Sequence, residues 1–249
     1  MNLSDFHIHT SYSDGKHTPE EIVIKAIEIG MTDIGFSDHS YTPFDESYCI
    51  KKNDISSYID EIITLKEKYK NDIKIHLGIE QDYYSDINKS QFDYVIGSVH
   101  YIRINDEYIP IDEDAETLIK AANKYFCGNI YCIAELYYKT LADVINKTDA
   151  DIIGHFDLIA KFNENNILFD ENDKRYITAY KLAADRLLKS NKIFEINTGA
   201  ISRGYKTAPY PSLDIYNYLK ENGAKFILSS DSHSKDTLCY GFEKYIGLM

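Results

Sequence analysis

The chain has 249 residues, 27 of them basic and 40 acidic, for a net charge of −13. That balance repels nucleic acid and anionic membrane over most of the surface, no apolar run approaches the roughly 18 residues of a membrane span, and the opening MNLSDFHIH has neither part of a signal peptide. With 44% hydrophobic residues and four cysteines in no CxxC pair, the expectation is a cytoplasmic protein with reduced thiols and one domain over 1–249, its oligomeric state left open.

The first predicted strand covers 3–8 (LSDFHI) and leads to a helix over 18–29. Thr18 caps that helix, Pro19 takes its first position and Glu21 completes a capping box. A strand over 33–38 is followed by the irregular segment 40–53 and a helix over 54–70. Strands over 73–79 and 92–99 precede helices over 114–126 and 130–146. A strand over 151–155, a helix over 172–189, a strand over 192–197, a helix over 212–222 and a strand over 225–230 complete the series. Gly30 and Gly223 stand where helices end. Strand and helix alternating in this way predict a parallel sheet covered by helices. Seven strands without a linker predict one closed or nearly closed barrel. The segment 40–53, the longest irregular stretch beside a strand end, is expected to cover a site.

Six of the eight histidines fall at or just past the C-terminal end of a predicted strand: His7, His9, His39, His100, His155 and His233. Glu80 and Asp231 stand at two of the same ends. In a parallel barrel these ends open on one face, so residues distant in sequence converge there. His7 and His9, two apart on a strand, point to one side and can share a metal. Asp5 has the same parity and is a candidate to orient a ligand. Asp231 and His233 repeat the spacing, and Glu80 offers a carboxylate that can bridge two ions. Imidazole and carboxylate without thiolate suit Zn, Mn or Fe. Eight such ligands exceed the needs of one ion, which predicts two or three divalent metal ions. His76 lies inside a strand and reads as structural.

The ordered set HIHTSYSDG (7–15), SDH (37–39), GIEQDY (78–83), GSVH (97–100), GHFD (154–157) and SSDSH (229–233) resembles the PHP (polymerase and histidinol phosphatase) superfamily over nearly the whole chain. GHFDLIAKF, EINTGAISRGYKTAPYPS and SSDSHSKDTLCYGF are most similar to its histidinol-phosphate phosphatase branch. The resemblance implies an α/β fold, a distorted (β/α)7 TIM-like barrel whose trinuclear metal site at the strand C-termini hydrolyses a phosphomonoester. Carried over by motif, His7, His9, Glu80 and Asp231 would hold one ion. Glu80, His100 and His155 would hold a second, and His39 and His233 a third. The third site departs from that branch's CxH-like pattern; here the segment reads SYSDGKH, which leaves Asp14, the favoured residue, or His17 to complete it.

Two ions sharing Glu80 can carry a bridging hydroxide for in-line attack on phosphorus, with Asp231 or His233 handling the leaving-group proton. Arg203 and Lys161 are the candidates to clamp phosphate, with Arg103 weaker, and Asp82 with Tyr83 to meet a cationic substrate end. On the family resemblance the expected substrate is L-histidinol phosphate, a small molecule of histidine biosynthesis. The alternatives are a PHP phosphoesterase for a nucleotide or phosphotyrosine, a non-catalytic metal-binding PHP module, and a C–N-cleaving amidohydrolase.

Overall fold

The computed structural model describes residues 3–249; the first two positions of the expected domain lie outside them. Seven strands form one parallel sheet: β1 (Ser4–Asp5), β2 (Asp33–Phe36), β3 (Lys74–Asp82), β4 (Tyr94–Ser98), β7 (Ile152–Ile153), β8 (Ile193–Asn197) and β9 (Lys225–Ser229). They lie in that order around the sheet. β5 (Tyr101–Ile104) and β6 (Glu107–Pro110) form a separate antiparallel hairpin. The ring closes at its C-terminal rim, where Ser232 N donates to the His7 carbonyl at 3.1 Å and His9 N to the Ser232 carbonyl at 2.9 Å. Asp5 secures the closure: it is fully buried and accepts from Ser230 N and Cys239 N. The two-residue strands β1 and β7 distort what is a TIM-like α/β barrel.

α1 (Pro19–Glu28) starts with the expected capping box, Thr18 and Glu21 satisfying each other's backbone N–H groups. α2 (Ile55–Lys68) joins it against the outer face of β2 and β3, where Ile22, Val23, Ala26, Tyr58 and Ile62 pack on Ile34, Phe36 and Leu77. The larger outer core gathers α3 (Ala115–Phe126), α4 (Tyr131–Leu141), α5 (Val144–Thr148), α6 (Lys174–Leu188) and α8 (Leu213–Glu221). α4 and α5 replace the single helix expected over 130–146, the break falling at Ala142–Asp143. Two short turns, α7 (Gly199–Ser202) and α9 (Phe242–Tyr245), have no counterpart in the sequence expectation.

Inside the ring, Tyr94, Ile96 and Ile152 meet Phe6, Ile193 and Ile227. Residues from strands all around the sheet reach one another only across the barrel interior. Tyr94 fills the middle of this plug, and its hydroxyl donates to the Phe6 carbonyl at 2.6 Å. Gly35 and Gly78 make the room, since a Cβ at either would collide with the Tyr94 ring. An apolar floor therefore lies beneath the rim. Among the described residues, no helix is long and apolar enough to cross a membrane.

Candidate metal centre

β3 sets the centre of the site. Positions 76, 78 and 80 share one face, and the strand lifts Glu80 above the apolar plug, where it is 1% exposed. Its two oxygens face different neighbours. Oε2 lies 3.3 Å from His7 Nε2, 3.7 Å from His9 Nε2 and 2.8 Å from His39 Nδ1. Oε1 lies 2.9 Å from His155 Nε2 and 3.4 Å from His100 Nε2, and accepts from the Ser98 hydroxyl at 2.6 Å. Asp231 approaches from the other side, with Oδ1 3.2 Å from His9 Nε2 and 3.8 Å from His7 Nε2. Its φ of 49° is left-handed, a conformation Asp tolerates better than most residues.

Three groups are compact enough to hold a cation: His7, His9 and Glu80; His39, Glu80 and His100; and His9, Asp14, His39 and His233. Glu80 belongs to two of them. His39 turns Nδ1 to Glu80 and Nε2 to Asp14, 3.8 Å away, and so stands between two groups instead of in the third alone. Asp14 Oδ2 is 3.2 Å from His233 Nε2. His17, in contrast, turns away from the cluster, and its Nδ1 accepts from Lys235 N at 3.3 Å. The turn carrying Asp14 is fixed by buried Asp38, which accepts from Thr10 N and the Ser13 hydroxyl.

The donor set fits metal. His7 Nε2, both ring nitrogens of His9, Nδ1 of His100 and of His155, and Glu80 Oε2 are buried with no hydrogen-bond partner among the described residues. Orphaned polar atoms are costly in a protein interior; here His7 Nε2, His9 Nε2 and Glu80 Oε2 converge on a shared point, while the His100 and His155 rings turn Nε2 to Glu80 Oε1. Charge tells the same story. Burial opposes ionisation of Glu80, yet the His39, His7 and His100 rings hold its carboxyl well below the usual range. Burial also opposes ionisation of Asp231, and Arg203 with His7 outweighs it. His9, enclosed and crowded by His233 and His39, is pushed down to about 3, which leaves a neutral ring able to act as a ligand.

Asp14, His39, His100, His155, Asp231 and His233 line the floor of a cavity of about 740 Å³, with His7, His9 and Glu80 buried beneath them. The expected loop 40–53 supplies one wall through Asp45 and Tyr48, and the hairpin supplies another through Tyr101, Pro110 and the following Asp112. Phe44 stacks on Tyr108 with centroids 3.7 Å apart, and the Tyr101 hydroxyl donates to Asp45 at 2.6 Å, so loop and hairpin are clasped together. Arg203 reaches the cavity from the end of β8, with Nη2 3.0 Å from Asp231 Oδ2 and Nη1 2.8 Å from His233 Nδ1. Lys161 also lines it and donates to the Asp112 carbonyl at 2.7 Å.

Other expected residues lie elsewhere. Asp82 does not line the cavity: it is 2% exposed, and its carboxylate accepts from His100 N at 2.9 Å and Tyr84 N at 2.8 Å. It braces the His100 backbone and is not open to substrate. Tyr83 donates to Asp143 at 3.1 Å, and Arg103 pairs with Asp106. His76 sits low in the barrel beside Asp33 and Phe6. Two residues at the site were not singled out from the sequence. Asp112 faces the cavity from the hairpin exit. Glu195 is 1% exposed in β8 and touches His7 and His155. The signal for it was the alternation Glu195, Asn197 on the inward face of EIN.

A family model described as PHP domain matches residues 5–199. A Schizosaccharomyces pombe protein named as a probable histidinol-phosphatase is 30% identical over 242 residues, 86% of this chain and 74% of its own. A Listeria monocytogenes crystal structure, described as a candidate histidinol phosphatase, aligns with a TM-score of 0.82 at 21% identity over 97% of this chain and 99% of that one. A Lactococcus lactis histidinol phosphate phosphatase, crystallised with zinc, L-histidinol and phosphate, aligns with a TM-score of 0.70 at 23% identity over 99% of this chain and 92% of that one. At those identities the two structures speak to the fold.

Proposed function

This chain belongs to the PHP domain family, and on that premise we propose that it is a metal-dependent phosphomonoester hydrolase that converts L-histidinol phosphate to L-histidinol and inorganic phosphate. The observation that carries this reading is the ring of imidazoles around the two divided oxygens of Glu80, with His7 Nε2 and His9 Nε2 unpartnered among the described residues, buried beneath an open cavity. The S. pombe relative carries the substrate assignment, since it bears that activity in its name.

His7, His9, Glu80 and Asp231 would hold one ion. Glu80, His100 and His155 would hold a second. Asp14, His39 and His233 would hold a third. Zn, Mn or Fe suits these donors. When bound, the ions supply Lewis acidity: a water-derived nucleophile at neutral pH and neutralisation of phosphoryl charge.

The chain's own residues do the rest. Arg203 grips Asp231 and His233 and lines the cavity, where its guanidinium would meet a phosphate oxygen. Lys161 adds a second cation from the facing side. Asp231 or His233, at the cavity floor, is placed to return the proton to the leaving oxygen. Asp45, Asp112 and Glu113 line the outer wall. Their charge suits a substrate with an ammonium and an imidazole beyond the phosphate, and offers no ion pair to the neutral sugar and base of a nucleoside monophosphate. Burial opposes the charge on Asp112, but Lys161 and the His100 ring hold its carboxyl below the usual range.

The test is kcat/KM for histidinol phosphate beside nucleoside monophosphates and phosphotyrosine, with metal content measured on the same sample. Two or three equivalents of metal and a preference for histidinol phosphate are expected. A higher value for either competitor would keep the phosphatase and remove the substrate.

A further inference from the structure

We infer that Glu195 is a positioning residue that holds two opposite sides of the metal centre with one carboxylate. The inference rests on the metal-binding reading above. Glu195 Oε1 lies 2.6 Å from His7 Nδ1. Its Oε2 accepts from His155 N at 3.0 Å and from Asn197 Nδ2 at 3.1 Å. His7 is 188 residues away and His155 is 40, so the side chain joins the ends of β1, β7 and β8.

The two contacts act differently. Since a carboxylate only accepts, the proton of a neutral His7 ring must sit on Nδ1. That leaves the Nε2 lone pair aimed at the point between Glu80 and Asp231, and Nε2 has no other partner. On the opposite side, the bond to His155 N fixes the backbone from which that ring reaches Glu80 Oε1. Glu195 does not line the cavity and so cannot touch substrate; whatever it does passes through His7 and His155. Carboxylates behind metal-bound histidines fix tautomer and ring direction, and their loss costs about 10–100-fold in metal affinity.

An amide cannot replace it. In Glu195→Gln one oxygen becomes NH2, which must face either the His7 ring N–H or the donors on His155 and Asn197. Glu195→Asp keeps the charge but is one methylene too short to reach both sides.

The experiment is competition for zinc between a chelator and the full-length wild type or each variant, with far-UV circular dichroism as the check on folding. For folded variants we expect about 10–100-fold weaker zinc binding. Zinc affinity within about twofold of wild type in either folded variant would overturn the inference. So would failure of both variants to fold, which would assign the carboxylate to barrel stability alone. A wild type that binds no zinc, manganese or iron would overturn the proposed function instead.

Discussion

The floor and the walls of the cavity are built by different rules. Every proposed ligand except Asp14 sits at or within a few residues of a strand end, held by sheet register and by a buried partner such as Ser98 or Glu195. The walls come from the loop 40–53 and the hairpin β5–β6, which hold each other through the Phe44–Tyr108 stack and the Tyr101–Asp45 hydrogen bond. The floor is thus preorganised by the barrel, the walls by two excursions leaning on each other. On the proposed function, chemistry would belong to the first and substrate selection to the second. Changes to the floor should therefore collapse kcat, and changes to the walls should move KM.

The strongest attempt to break that division is Glu80→Gln. Removing the charge shared by two ligand groups should lower kcat by about three orders of magnitude or more, with unchanged circular dichroism. Near-wild-type turnover at saturating metal would remove Glu80 from the centre of the site.

Arg203 sits where floor and wall meet. Arg203→Ala should cost about 1.5–3 kcal/mol in kcat/KM, the worth of a charge-assisted contact. Because Arg203 also grips Asp231 and His233, part of the loss should appear as reduced metal retention by elemental analysis. Arg203→Lys keeps the charge but not the fork, and should recover little of it.

A pure wall change is Phe44→Ala. It removes the stack on Tyr108 and an edge contact with Tyr101 at 4.9 Å. Losing an aromatic pair costs about 0.5–1.5 kcal/mol. The expected reading is a KM raised by roughly two- to tenfold, with kcat within about twofold. A collapse in kcat instead would show that the walls also position the floor.

The smallest effect is expected below the floor. His76→Gln loses the contact to Asp33, 3.2 Å away, and a T-shaped contact with Phe6. Stability should fall by about 1 kcal/mol in a denaturant titration, with kcat/KM unchanged. A large kinetic loss in the folded variant would mean that the barrel interior tunes the site above it.

The hairpin was readable in principle. YIRI and EYIP alternate about the two-residue turn Asn105–Asp106, and Asn105 takes the φ of 56° that a tight turn asks of it. Its strands are four residues each and pair only with one another, so in the sequence they pass for a loop.

Strand period and strand order determined the floor from the sequence alone. In a parallel barrel all C-termini share one rim, so histidines and carboxylates at successive strand ends must converge whatever their separation in the chain. Side-chain direction beyond the rim was decided only by tertiary structure. β3 runs three residues past its predicted end, to Asp82, paired there with Ser98. Asp82 is consequently enclosed under the His100 backbone instead of facing substrate. Asp14 enters the cluster because Asp38, from the next strand end, pins Thr10 and Ser13 in the turn that carries it, while His17 is held away by Lys235 N. Glu195 gained its partner from a strand 188 residues away. Local periodicity states which face a residue occupies; a contact between distant segments exists only once the ring has closed and set their register.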